Sequence, residues 1–178
     1  MVNMVFTHDT ECSLLAAVTL VNTTDPESLD TVEALAEFVA RFGYTGRYER
    51  TRDELDEVRA LREPLRRLLT APRDEAVSIV NELLQEANAV PQLVRHGDYD
   101  WHIHAVPNDA PLAVRIQVEA AMGMVDVIRS DETSRLGICA DATCEDVVLD
   151  LSRNRRKRYC STTCANRNAV AAYRSRRH

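Results

Sequence analysis

Residues 139–178, CADATCEDVVLDLSRNRRKRYCSTTCANRNAVAAYRSRRH, decide how the chain is read. They hold four of its five cysteines as two close pairs, Cys139-x4-Cys144 and Cys160-x3-Cys164, with fifteen residues between the pairs. Each pair can close one edge of a tetrahedron, and a loop of that length lets the edges meet. The pattern is that of one structural Zn2+ per chain, with Cys139, Cys144, Cys160 and Cys164 as ligands. Two disulfides are the competing reading. The opening MVNMVFTHDTECSLLAAVTLV argues against them: no Arg or Lys precedes its apolar run, and Asp9 and Glu11 stand where a secretory signal would be positive. A cytoplasmic location, where thiols stay reduced, is the expectation.

Charge follows the cysteines. The chain has net charge −6, yet the stretch from Arg153 to His178 holds nine basic and no acidic residues, so a body of about −15 is followed by an end of +9. Four thiolates around a dication leave −2, and some arginines serve to neutralise it and donate to sulfur. Nine exceed that need. Since only Lys157 among 22 basic residues is not Arg, genome composition can account for the arginine bias, and the weight rests on placement. Ser161 or Thr162 can cap a helix through ANRNAVAAYRSRR, with Cys164 in its first turn and Arg167 and Arg174 on one face. Such a metal-anchored basic helix fits a nucleic-acid groove. Arg153, Arg155, Arg156, Lys157, Arg158, Arg167, Arg174, Arg176 and Arg177 are the candidate phosphate contacts, with Asn166, Arg167 and Asn168 nearest to base edges. DNA is the expected partner. RNA is less favoured, because Tyr159 and Tyr173 are the only aromatics available for stacking.

These residues resemble the CGNR zinc finger, in which two cysteines, an apolar-Asp-x-Ser segment, an aromatic-Cys-Ser step and a Cys-Gly-Asn-Arg tetrad precede a basic helix. The resemblance covers 136–178. It implies the same four zinc ligands, places Asp150 and Ser152 before the basic loop, and gives Tyr159 the aromatic position. Ala165 departs from the family's glycine, and three residues rather than four separate the last cysteines.

The N-terminal part reads as helices. Thr10 to Val21 is apolar nearly all round, the mark of a central buried helix. His8 and Cys12 stand four apart, as a metal pair would, but a frayed end and a small buried thiol explain them better. A second helix runs from about Asp30 to Phe42 and stops at Gly43. Thr51-x-x-Glu54 opens a third to about Leu69, kinked or restarted at Pro64. A fourth covers Arg73 to Ala89, with Ala76, Val77, Val80, Leu83 and Leu84 inward. From Pro91 the period shifts to two. Residues 92–96 and 101–106 read as a β-hairpin around Gly97-Asp98-Tyr99-Asp100, with His102 and His104 on the solvent face and Trp101, Ile103 and Ala105 inward. Trp101, His102 and His104 are nonetheless the best candidates here for a ligand pocket. Asp109-Ala110-Pro111 caps a long helix from Leu112 to Arg129, and the polar linker 130–134 is too poor in glycine to let the end swing freely. Leu20-Val21-Asn22-Thr23 and the order of elements resemble the ABATE domain of stress-induced transcription regulators, which usually precedes the CGNR finger.

The expected fold is mainly α (α+β): a helical bundle with a hairpin over 1–134, then a small treble-clef-like module with four zinc-binding cysteines over 135–178. No Gly-rich phosphate loop, G-x-S-x-G or H-E-x-x-H occurs, and an all-cysteine zinc site leaves no open position for water, so no enzyme is expected. A bacterial-type transcriptional regulator is the first reading, its bundle sensing an unknown effector or forming a homodimer. The second is a protein-interaction or scaffold module whose basic end pairs with an acidic surface, its own bundle included.

Overall fold

The computed structural model describes residues 5–24, 26–95 and 101–175, with Ser175 described by its backbone alone. Helix α1, His8–Val21, is the centre of the molecule: Leu14, Ala16, Ala17 and Leu20 have almost no solvent exposure. It packs most extensively on α6, Leu112–Arg129, and also against α4, Arg62–Thr70. Gly123 sets the closeness of α1 and α6, since a β-carbon there would lie 2.7 Å from the Ser13 hydroxyl and 3.2 Å from Leu14.

Local chemistry sets most boundaries. Helix α2, Val32–Phe42, begins where the Thr31 hydroxyl accepts the Ala34 N–H and ends at left-handed Gly43. Helix α3, Arg52–Ala60, begins at Thr51, whose hydroxyl accepts the Glu54 N–H. The Glu54 carboxylate does not close the expected box on Thr51; it accepts the N–H groups of Glu49 and Arg50 and so shapes the loop before the helix. The long third helix of the sequence reading is two, broken at Leu61. Pro64 sits in the first turn of α4, where its missing N–H is one the helix could not use.

Helix α5, Arg73–Glu86, ends earlier than expected because Asn88 takes a left-handed conformation (φ 48°). Its inward face is Ala76, Ile79, Val80 and Leu83, whereas Val77 is 39 % exposed, a correction to the assigned stripe. Helix α6 starts at Pro111 with no side-chain cap, against the expectation for Asp109.

Strands β1, Gln92–Val94, and β2, His102–His104, pair antiparallel with Leu93 opposite Ile103. Their connecting turn, Gly97–Asp100, lies outside the described residues. Strands β3, Leu136–Ile138, and β4, Val147–Leu149, form a second antiparallel hairpin, followed by α7, Thr162–Ser175. The molecule is thus mainly helical with two small hairpins. No helix among the described residues is long and apolar enough to cross a membrane.

The core crosses from the helices into the C-terminal module. Val147 and Leu149 are buried in the same cluster as Leu14, Leu65 and Met124. The Asn22 side chain, just past the end of α1, donates to the Val147 carbonyl and accepts its N–H, both at 2.8 Å. Arg66 also reaches the Glu145 carbonyl. The module is docked, as the glycine-poor linker implied.

The turn between α1 and α2 is pinned by Glu27, whose carboxylate takes hydrogen bonds from Arg62 and Arg59 and from the Leu29 N–H. Hydrogen bonding from Arg62 leads the effects that lower its pKa to about 2, burial opposing them. A depressed carboxylate contributes stability that is present above its unfolded value and lost as pH falls through the folded one. Acid destabilisation between about pH 4.5 and 2 should therefore be shallower in Glu27→Gln, as read by thermal melts across that range.

Candidate metal centre and basic surface

Cys139 leaves β3 and Cys144 lies in the loop before β4; Cys160 precedes α7 and Cys164 sits in its first turn. The hairpin and the helix N-terminus therefore each supply two sulfurs. Backbone bonds shape the approach: Cys139 N–H donates to Asp146 O, Cys144 N–H to Asp141 O, and Ala140 N–H to Arg158 O. The Ser161 hydroxyl accepts the Cys164 N–H at 3.3 Å, which makes Ser161 the cap of α7. All four sulfurs lie within 4.8 Å of one another. Cys144 to Cys160 and Cys160 to Cys164 are each 3.6 Å apart, close to the edge of about 3.8 Å expected for a tetrahedron with 2.3 Å Zn–S bonds and far longer than a disulfide.

The donor set fits a dication on chemical grounds. Burial pushes the Cys144 thiol up to about 11 and Cys160 higher still. At Cys139 burial also raises the thiol, but N–H groups of Asp141 and Cys160 outweigh it and hold it low. Thiols raised this far lose their protons together at neutral pH only around a cation. Cys139, Cys144, Cys160 and Cys164 would hold one zinc ion, whose chemistry here is to cross-link hairpin and helix, and the Cys160 N–H on the Cys139 sulfur at 3.4 Å supports that grip.

A second set of contacts fixes the basic loop. Asp150, 5 % exposed, accepts the Ser152 N–H through one oxygen and the Lys157 N–H through the other, at 2.8 and 2.7 Å. Burial opposes ionisation of Asp150, but these hydrogen bonds win and keep its pKa low. Buried Arg135 completes the brace by donating to the carbonyls of Asp150 and Ser152 while paired with Glu132 at 2.7 Å. The loop is thereby bowed outward. Replacing Asp150 by alanine should speed hydrogen exchange at the Lys157 amide by at least about tenfold, since two bonds to a charged acceptor are lost.

The cations divide into tied and open groups. Arg155 pairs with Glu132 at 2.7 Å. Arg167 lies 3.2 Å from Asp141 and donates to the Thr143 hydroxyl at 2.5 Å, which ties α7 to the loop bearing Cys144 although half its side chain is exposed. Asn168 donates to the Cys164 carbonyl and is half-buried, while Asn166 is exposed. Arg153, Arg156, Lys157, Arg158 and Arg174 are exposed, and their side chains make no ion pair among the described residues. Arg176 and Arg177 lie outside the described residues. In α7 no described side chain beyond Cys164 is buried, and Val170 and Tyr173 are 48 and 56 % exposed.

At the pocket hairpin the sequence reading is corrected. Trp101 and Ile103 are 64 and 43 % exposed, whereas His102 and His104 are half-buried and line a cavity against α1 and α6; only Ala105 points inward as expected. The inward face is polar because the hairpin lies over helices whose own polar residues face it. His104 lies 3.1 Å from Asn108 through Nδ1 and 3.1 Å from His102 through Nε2. The sequence reading missed Arg115 and Glu119, which line the same cavity. Two charged residues four apart within the apolar run LAVRIQVEAAMGMV were the available signal.

A helical domain with a docked four-cysteine module and an exposed basic face has the make-up of a zinc-finger protein. Residues 15–131 match the family described as "Putative stress-induced transcription regulator", ABATE, and the chain belongs to it. Residues 135–177 match the CGNR zinc finger. These are regulator and zinc-finger families rather than enzyme families. No curated protein matches the chain.

Proposed function

We propose that the chain is a DNA-binding transcriptional regulator in which the zinc module and α7 grip the duplex and the helical domain senses an effector or pairs with a second copy. The observation that carries this reading is the open group of cations: Arg153, Arg156, Lys157 and Arg158 on a loop braced from behind by Asp150, with Arg174 along α7. Five exposed cations held on a rigid edge lose little entropy when they meet phosphates. Asn166 is the exposed amide positioned to approach a base, with the open half of Arg167 beside it. Arg176 and Arg177 extend the same strand of positive charge in the sequence.

The scaffold reading requires the basic end to be consumed by acidic partners. Among the described residues that happens once, at Arg155 and Glu132; Arg167 turns to Asp141 of its own module, and Arg174 has no ion pair. The balance favours nucleic acid. The test is titration of a labelled duplex selected from a random pool, with zinc present, at two salt concentrations. Five phosphate contacts give a logarithmic salt slope of about −4.5, and a slope near zero sinks the proposal. The stoichiometry of the same titration reads one half-site or two.

A further inference from the structure

The cavity of about 590 Å3 between α1, α6, β2 and the segment after α2 lies away from the basic surface. Its size is that of a small-molecule site. Phe42, Tyr44, Trp101, Val118 and Met122 give it apolar and aromatic walls. Its charged groups are Asp9, Glu119 and Asp126 against Arg115, with His8, His102 and His104 beside them.

Most of those charges already have partners. Arg115 is committed to the backbone, its guanidinium donating to the carbonyls of Ala110, Thr45 and Arg47. Asp126 accepts the Thr10 hydroxyl at 2.5 Å. Glu119 differs: it is half-buried, lines the cavity, and makes no hydrogen bond or ion pair among the described residues. Burial pushes its pKa up to about 7 in spite of Arg115 nearby. The Tyr44 hydroxyl likewise has no hydrogen bond among the described residues and shares this end of the cavity, for Glu119 is among the charges that perturb it. A half-buried carboxylate in the cavity wall with no donor from the protein is available to accept one from a ligand.

We propose that this cavity is the binding site for a small organic cation, an ammonium or amidinium on an apolar body, with its charge seated on Glu119 and its body against the aromatic walls. Among the described residues, three carboxylates line the cavity against one guanidinium already engaged by carbonyls, a balance that favours a cation over an anion. Aromatic residues in the lining, Phe42, Tyr44 and Trp101, suit a cation with an apolar body. A metal ion is disfavoured, because no three donor groups of the cavity have their ligand atoms within 4.8 Å of one another among the described residues. The inference deepens the sensor reading and rests on it for the word effector. Helix α1 lines the cavity with residues from His8 to Ala16, and Asn22 at its far end holds both hydrogen bonds of Val147 in the zinc module.

The experiment uses the full zinc-loaded chain and three probes of one shape: benzylamine, benzyl alcohol and benzoate, followed by calorimetric titration and thermal shift. Benzylamine is expected to bind at least about tenfold more tightly than either of the others, and Glu119→Gln to lose about tenfold in benzylamine affinity. The substituted chain without ligand should melt no lower than the parent, because the half-buried carboxylate it loses makes no hydrogen bond or ion pair among the described residues. Equal binding of the three probes by the unchanged chain overturns the proposal without recourse to any variant. So does an undiminished affinity in Glu119→Gln, or nickel binding that depends on His104 while benzylamine fails. The readout involves no DNA. Failure to bind a duplex therefore sinks the regulator reading alone, and failure to prefer the amine sinks this one alone.

Discussion

Stripping zinc from the folded chain is expected to dissolve α7 and the basic loop while the helical domain melts at an unchanged midpoint. The two ends of the module rest on different supports. Val147 and Leu149 are buried in the main core, and Asn22 clamps Val147 to the end of α1, so β3 and β4 are held by the bundle. Around the metal the buried apolar support is slight: Val148, Cys139 and Cys164, with Tyr159 and the other two ligands partly covered, and beyond Leu149 only Leu151, partly buried, packs on the main core among the described residues. A patch of that size cannot offset the backbone entropy of ordering some twenty-five residues at about 1–2 kcal/mol each, whereas a structural zinc contributes about 10–16 kcal/mol. Chelator, or Cys164→Ser, should reduce far-UV helical signal by about the 14 residues of α7. It should also open the Arg153–Arg158 segment to trypsin. A single cooperative collapse of the whole chain, or no loss of helix, would show that the metal is not what orders this end.

The second large effect concerns the exposed cations. Replacing Arg153, Arg156 and Arg158 together by glutamate should weaken duplex binding by about a hundredfold or more near 0.1 M salt and lower the salt slope by about 3, as each lost phosphate contact removes roughly 0.9. The contrast with Arg155→Gln makes the result specific. Arg155 is already paired with Glu132, so its removal should change affinity only a few-fold. Equal losses from the two variants would mean that gross charge, not the open edge of the loop, governs binding. Retention of the duplex by the triple variant would move the function to an acidic protein partner.

The cysteine spacing and the cations were legible because both chemistries are local in sequence. A tetrahedral dication demands four soft donors in paired steps, and the structure brings all four sulfurs within 4.8 Å. The helix start at Thr51 and the stop at Gly43 were equally readable, since a cap is satisfied within one turn. The hairpin faces were not. Alternation shows that His102 and His104 share a side, but only the helices beneath decide which side is covered, and here polar residues of α1 and α6 draw the histidines inward.

Roles that depend on a distant partner were equally hidden. Arg167 stands in the finger's tetrad, yet that it ties α7 to Asp141 and Thr143 appears only when residues 24 apart in sequence meet. Asn22 lay in a quoted segment, but its two bonds to Val147 span 125 residues.

The sequence by itself determined the metal, its four ligands and the segregation of positive charge to one end, because coordination chemistry and net charge follow from residue type and spacing. Only the tertiary structure decided which cations remain open, that the zinc module shares the helical core, and that Glu119 lines a cavity with no hydrogen bond or ion pair among the described residues. Those outcomes depend on which surfaces meet across the chain, and burial and pairing are properties of the packed molecule.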